Sequence, residues 1–479
     1  MGKTGKLLLF GLIAVMLAAC AKDDDSFNNN MNNVLTFSSD TIHLDTVFTT
    51  IGSSTTNFWV YNQSASGIHI SSIRLNSGNQ TGFRVNVDGT YLSAEAGYRM
   101  IDLDVRKGDS IRIFVEITAP RNKTDFYKTL EDDLIFTLES GNVQTLKLQA
   151  VSINADKMQN VVVSNDSTIS STRPIIVYGG IDVQKGAKLT IAPGTKLYFH
   201  DGAGISVHGT LVARGAADKF IVFRGDRLDR MFDYLPYDNI SAQWKGIHFY
   251  KESYNNIILN ADIHGACDAI YCDSSNVSTP KIEIENTIIH NNAGYGVYLR
   301  NCYANLYNCQ ITNNEANCLY ICGGEVFVNN CTIAQFYPFV APSGYALMFT
   351  NTDSDISYPL KDLTVYNTII TGSKEDEVLG DGNDKSDYKF RFASCLIKTP
   401  RTTAIKDSVI YEGETGIEAS YKNFKRVDND SIRYDFHLDS LSKAVGTADP
   451  NKILPYDLNG RKRNVKTPSM GCYEYAVQP

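Results

Sequence analysis

Four residues recur at one position of a repeat: Tyr271, Tyr298, Tyr320 and Met348. A file of outward aromatics with hydroxyl tips is a surface suited to sugar rings, and these four are the candidate ligand-binding residues. His264 and His290 are also equivalent to each other. Such a pair can hold a metal ion or work as acid and base, although stacked histidines near a turn more often serve structure. Polysaccharide cleavage asks for more. Hydrolysis needs two carboxylates at a set separation, and elimination needs a base, usually with calcium on the sugar carboxylate. Glu283 and Glu285 beside Arg300 read as solvated charge. The run Asp381-Gly382-Asn383-Asp384-Lys385-Ser386-Asp387 offers oxygen ligands for calcium but lacks the EF-hand spacing, and Lys385 opposes it. No catalytic residue and no metal ligand is assigned on this basis, and calcium is the one cofactor worth considering.

The elements that position these residues are short strands. Five asparagines, Asn260, Asn286, Asn308, Asn330 and Asn367, occupy one equivalent position, at intervals of 26, 22, 22 and 37 residues, and Ser394 follows 27 later. Three residues after each comes Ile263, Ile289, Ile311, Ile333, Ile370 and Ile397. One residue after comes Ala261, Thr287, Cys309, Cys331, Thr368 and Cys395. Self-similarity at this period means one supersecondary unit per repeat, stacked on its neighbours. A second strand repeats in step: Ile270, Val297, Leu319 and Leu347 align, as do Cys272, Leu299, Ile321 and Phe349. These rows point inward, so alternation turns the tyrosine file outward. The asparagines are expected to hydrogen-bond one another from coil to coil. The 37-residue interval predicts an insertion between Phe336 and Tyr358.

Upstream, 34–155 shows period-2 segments such as Ser110-Ile111-Arg112-Ile113-Phe114-Val115-Glu116-Ile117 between turns, which predicts an antiparallel β-sandwich. Between 156 and 434 the strands lie too close together for crossover helices. Nine cysteines follow Cys20, an odd number that cannot all pair, and the inward ones read as small hydrophobes. With 45 Lys+Arg against 53 Asp+Glu and a net charge of -8, no nucleic-acid partner is expected.

At the N-terminus, Lys3 and Lys6 precede an apolar run from Leu7 to Ala18, too short to span a membrane. Leu17-Ala18-Ala19-Cys20 resembles a bacterial lipobox, which implies a signal peptide at 1–19 and lipidation of Cys20. Lys22-Asp23-Asp24, in a polar tether at 20–33, resembles the export signal of Bacteroidota surface lipoproteins. The resemblance implies an outer-membrane protein, lipid-anchored and facing the exterior. Triplets beginning at Asp40, Asp45, Asp109, Asp166, Asp407, Asp430 and Asp439 resemble the O-glycosylation sequon of the same bacteria.

Val60-Tyr61-Asn62, Gly108-Asp109-Ser110-Ile111 and Thr145-Leu146-Lys147-Leu148 resemble Ig-like modules of bacterial surface proteins. Val183 to Gly194, Ile205 to Leu211 and Trp244 to Phe249 resemble the opening coils of right-handed parallel β-helices of the pectate-lyase-like superfamily. Asn351-Thr352-Asp353 resembles the first motif of polygalacturonases, whose remaining motifs are missing. Pro468-Ser469-Met470-Gly471-Cys472-Tyr473-Glu474 resembles the ending of Bacteroidota β-helix surface proteins, which makes 435–479 a C-terminal cap. The expected architecture is all-β: an Ig-like sandwich, then a right-handed parallel β-helix with a cap. The expected function is non-catalytic binding of glycans or other surface ligands on the β-helix face. A polysaccharide lyase or hydrolase, and an accessory subunit of an outer-membrane protein complex, are the alternatives.

Overall fold

The computed structural model describes residues 26–341, 343–400, 408–412 and 421–476. Cys20 and the export motif, together with Asp407, lie outside the described residues. The chain divides into two units, Met1–Asn154 and Ala155–Pro479.

In the first unit, alternation places one face of each strand in a core. Ile111, Ile113, Val115 and Ile117 of Ser110–Ile117 are buried, while Arg112 is exposed. Two five-stranded sheets result. One orders Leu35–Phe37, Thr56–Asn62, Ser110–Ile117, Phe83–Val87 and Thr90–Tyr91. The other orders Thr41–Phe48, Val143–Ile153, Lys128–Leu138, Ile68–Leu75 and Arg99–Val105. Pairing is antiparallel except between Thr41–Phe48 and Val143–Ile153, which run parallel. Residues of both sheets form one hydrophobic cluster.

The second unit is a right-handed parallel β-helix. One coil carries Ile247–Phe249, Asn256–Leu259 and Ala261–His264. The next carries Ile270–Cys272, Pro280–Glu285 and Ile288–His290, each paired in parallel with its predecessor. The register is that of the repeat: Ile270 pairs with Val297, Val297 with Leu319 and Leu319 with Leu347. These inward residues are fully buried, as are the isoleucines three places after each asparagine. Burying one such side chain stabilises the coil by about 2–3 kcal/mol. The cysteines Cys309, Cys331 and Cys395 are buried in an inward row, and the nine described cysteines are all free thiols.

The five repeat asparagines and Ser394 adopt φ between +48° and +54°. This left-handed conformation turns the chain from second to third strand, and Asn tolerates it better than most side-chain-bearing residues. The expected ladder among these asparagines does not form. Asn308 Nδ2 donates to Tyr456 O at 2.8 Å, Leu454 N donates to Asn330 Oδ1 at 3.2 Å, and Asp449 N donates to Asn367 Oδ1 at 2.8 Å. The C-terminal segment runs along this corner and supplies main-chain partners instead. One coil-to-coil amide bond does occur at the next corner, from Asn292 Nδ2 to Asn314 Oδ1 at 2.7 Å.

The C-terminal cap therefore covers the flank of several coils and not the last rung alone. The physical reason is an apolar outward row on the third strands. Ile369 and Leu396 are buried there against Phe424, Phe436, Leu458, Met470 and Cys472. Arg463, wholly buried, clamps the segment by donating to Asn308 Oδ1 at 2.8 Å and Gly471 O at 2.9 Å, with Glu474 at 3.5 Å. The predicted insertion resolves into a loop after Phe336 and a hairpin of Thr352–Asp353 with Ile356–Ser357.

Candidate functional site

The outward file of the first strands runs through Asp182, Ser206, His248, Tyr271, Tyr298, Tyr320 and Met348, each paired with the next. Coil spacing of about 4.8 Å suits ring stacking. Tyr271 and Tyr298 stack with centroids 4.4 Å apart and planes 2° apart, and Tyr298 and Tyr320 at 4.8 Å and 12°. The ring faces are thus turned on one another. Edges and hydroxyl tips, not flat faces, line the surface, and Tyr298 is only 5% exposed. Met348 continues the file, its sulfur 3.8 Å from Asn317 Nδ2.

Arg300 organises the tips. Its Nη2 donates to the hydroxyls of Tyr271 and Tyr298, both at 3.0 Å, and its Nε donates to Tyr298 at 3.2 Å. Asp353, from the inserted hairpin, lies 3.3 Å from Nη2. Burial raises the pKa of Tyr298, against the lowering effect of Arg300, so the phenol stays neutral. Arg300 is therefore committed to the tyrosines and Asp353, not to Glu283 and Glu285. Asn351, fully buried, donates to Asn383 O at 2.8 Å and Ser386 O at 3.1 Å. Its amide holds the Asp381–Asp387 loop by two of its main-chain carbonyls.

Toward earlier coils the file borders a groove of about 590 Å³. Gly180, Gly204 and Gly246 lie one above another there. A Cβ on Gly246 would sit 1.6 Å from Asp268 O, on Gly180 2.8 Å from Gly204 O, and on Gly204 2.9 Å from Gly246 O. Close backbone stacking demands these glycines, and their bare backbone lines the groove. Its rim carries Asp182, Lys245, His248, Tyr250, Asp268 and Tyr271. His248 stacks on Tyr250 at 4.0 Å and meets Tyr271 edge-on at 5.0 Å.

A second constellation lies on the third strands. His264 and His290 pair in register and stack at 4.6 Å. Asp262 Oδ1 reaches both, 2.8 Å from His264 Nδ1 and 3.3 Å from His290 Nε2. Asp238 Oδ1 lies 3.0 Å from His264 Nε2 and also pairs with Arg224. Burial alone would lower the His264 pKa, but Asp262 and Asp238 push it up to about 9. Burial opposes ionisation of the carboxyls as well; the imidazoles overcome it, holding Asp262 well below the usual range and Asp238 at about 2.

Reading the sequence picked out the tyrosine file and the histidine pair but missed four partners. His248 was legible, because Gly246-Ile247-His248-Phe249 aligns with Ala269-Ile270-Tyr271-Cys272. Asp262 was legible as Asp-x-His beside Ile288-x-His290. Tyr250 and Asp238 lie outside the strand repeat and carried no signal.

The family model described as right handed beta helix region matches residues 149–333. No curated protein matches the chain. Among solved structures, the chain is similar to the catalytic unit of a thermostable GH87 α-1,3-glucanase from Streptomyces thermodiastaticus, at 11% identity over 74% of this chain and 75% of that one, with a TM-score of 0.32. It is similar to pectate lyase Pel9A at 14% identity over 67% of this chain and 88% of that one, TM-score 0.24. A Vibrio cholerae VesB protease matches at 13% identity over 25% of this chain, TM-score 0.17, and there the chain spans only 31% of the other's length.

Proposed function

We propose that this protein, lipid-anchored through Cys20 on the outer cell surface, binds glycan chains along the first-strand face of its β-helix without cleaving them. The observation that carries the proposal is the glycine-lined groove opening onto an aromatic file. A polysaccharide needs an open track, aromatic carbon surface, and polar groups held in fixed positions. The groove offers the first. Ring edges of His248, Tyr250 and Tyr271 offer the second at its rim, and the file continues as edges and hydroxyl tips through Tyr298 and Tyr320 to Met348. Arg300 fixes the hydroxyl tips of Tyr271 and Tyr298, so polar recognition costs little ordering entropy. Of the 20–33 segment expected as a tether, the part from Ser26 onward instead docks on the sandwich: Gly67 N donates to Ser26 O at 2.9 Å, and Asn33 Nδ2 donates to Ser66 Oγ at 2.9 Å.

The test is retention of the purified chain on gels of neutral and acidic polysaccharides, with assay of released oligosaccharides. Retention without products, weakened at least about tenfold by Tyr271→Ala or His248→Ala, is expected. Product release favours a lyase or hydrolase. Absence of retention on every gel, with co-purification of a membrane barrel in mild detergent, favours an accessory subunit.

A further inference from the structure

We propose that Asp262, His264 and His290 bind one divalent transition-metal ion, with an open coordination position facing the cleft beside the C-terminal hairpin of Phe424–Asp428 and Arg433–Leu438. This site lies on the third strands and is independent of the glycan groove.

The fold builds the site in two steps. Asp262 and His264 stand two residues apart on one strand and so share a face. Parallel pairing then sets His290 beside His264, one coil on. Around a tetrahedral ion with bonds of about 2.0–2.2 Å, ligand atoms stand roughly 3.3 Å apart. Asp262 Oδ1 is 3.3 Å from His290 Nε2, near that separation, and 2.8 Å from His264 Nδ1, a hydrogen bond that lengthens when an ion replaces its proton; one ligand atom from each residue falls within 4.8 Å of the others. A cation that displaced the protons shared between this carboxylate oxygen and the imidazoles would find its three ligand atoms already gathered.

The surroundings fit the same reading. His264 offers Nδ1 to the site, while its Nε2 lies 3.0 Å from Asp238, itself paired with Arg224. A carboxylate on the far nitrogen of a ligating histidine fixes its tautomer and ring orientation. Two imidazoles and one carboxylate favour zinc, cobalt, nickel or copper over calcium or magnesium. Asp262 and His290 line a cleft of about 910 Å³, with Asp435 and His437 of the hairpin on its wall. Three protein ligands with a fourth place open to a cleft is the pattern of zinc sites that accept water or a small ligand.

The experiment strips the full chain with a chelator, then titrates Co(II) by visible absorption and Zn(II) by calorimetry. One equivalent of each metal is expected, with cobalt bands of a four-coordinate nitrogen/oxygen site. His290→Ala, a change at a partly exposed side chain, should abolish the bands. Asp238→Asn should weaken zinc about 10–100-fold while keeping the cobalt spectrum, a split that a merely structural residue would not produce. His437→Ala should change neither. Wild-type protein that takes up no cobalt overturns the proposal. So does a His290→Ala or Asp262→Asn variant with the wild-type melting curve and wild-type metal affinity.

Discussion

The contact between Arg300 and Tyr298 can be measured by a double-mutant cycle of Tyr298→Phe and Arg300→Met. Phenylalanine keeps both ring stacks and removes only the oxygen that accepts from Nε and Nη2 at 3.2 and 3.0 Å. Hydrogen bonds to a charged group contribute about 1.5–3 kcal/mol. The Arg300 side chain is 28% exposed, so solvent screens part of this, and a coupling of about 1–2 kcal/mol is expected. Tyr298→Ala should cost more, about 3–5 kcal/mol, because it empties the space between Tyr271 and Tyr320. The chain has two tryptophans, Trp59 in the sandwich and Trp244 in the solenoid. In a Trp59→Phe background, fluorescence during urea unfolding reports the solenoid alone. There Trp244 is buried and stacked on Phe199 at 4.4 Å. A coupling below about 0.3 kcal/mol, within the error of independent sites, would refute the account of Arg300 as the clamp on the file.

Arg463→Ala leaves the Glu474 carboxylate buried without its cation, and should destabilise the cap by about 3–5 kcal/mol. Limited proteolysis checks this through early cleavage within 440–476, and wild-type resistance would contradict it. In chelator, the contribution of His264 to stability should be complete below pH 6.5 and fade as pH rises through about 9. The raised pKa makes this loss about 3 kcal/mol, and His264→Gln should flatten that part of the profile. Of the nine cysteines from Cys267 to Cys472, only Cys267 is exposed, so a thiol reagent should modify one of them in native protein and all nine in denaturant. Rapid labelling of several without denaturant would mean that the inward rows open readily.

The coils were legible because a parallel β-helix writes its period into the chain. Inward positions must be apolar or small on every turn, so Ile263, Ile289 and Ile311 announce both strand and register. The asparagines were legible as turn residues, since the left-handed conformation selects them. Their partners were not, because those lie dozens to more than a hundred residues away, as Asp449 does from Asn367, Leu454 from Asn330 and Tyr456 from Asn308. The tyrosine file was legible as an outward row. That its rings face one another, with Arg300 across the tips, follows from the roughly 4.8 Å coil spacing and side-chain packing.

The sequence by itself determined the two kinds of architecture, the coil register, the inward rows and the residues that stack on the outward face. Backbone pairing repeats from coil to coil, so a local period is enough to specify it. Tertiary structure alone decided the glycine groove, the flank covered by the C-terminal segment, and the meeting of Asp238 with His264. Those features depend on loops and on the chain's return path, which no repeat encodes and only packing in three dimensions selects.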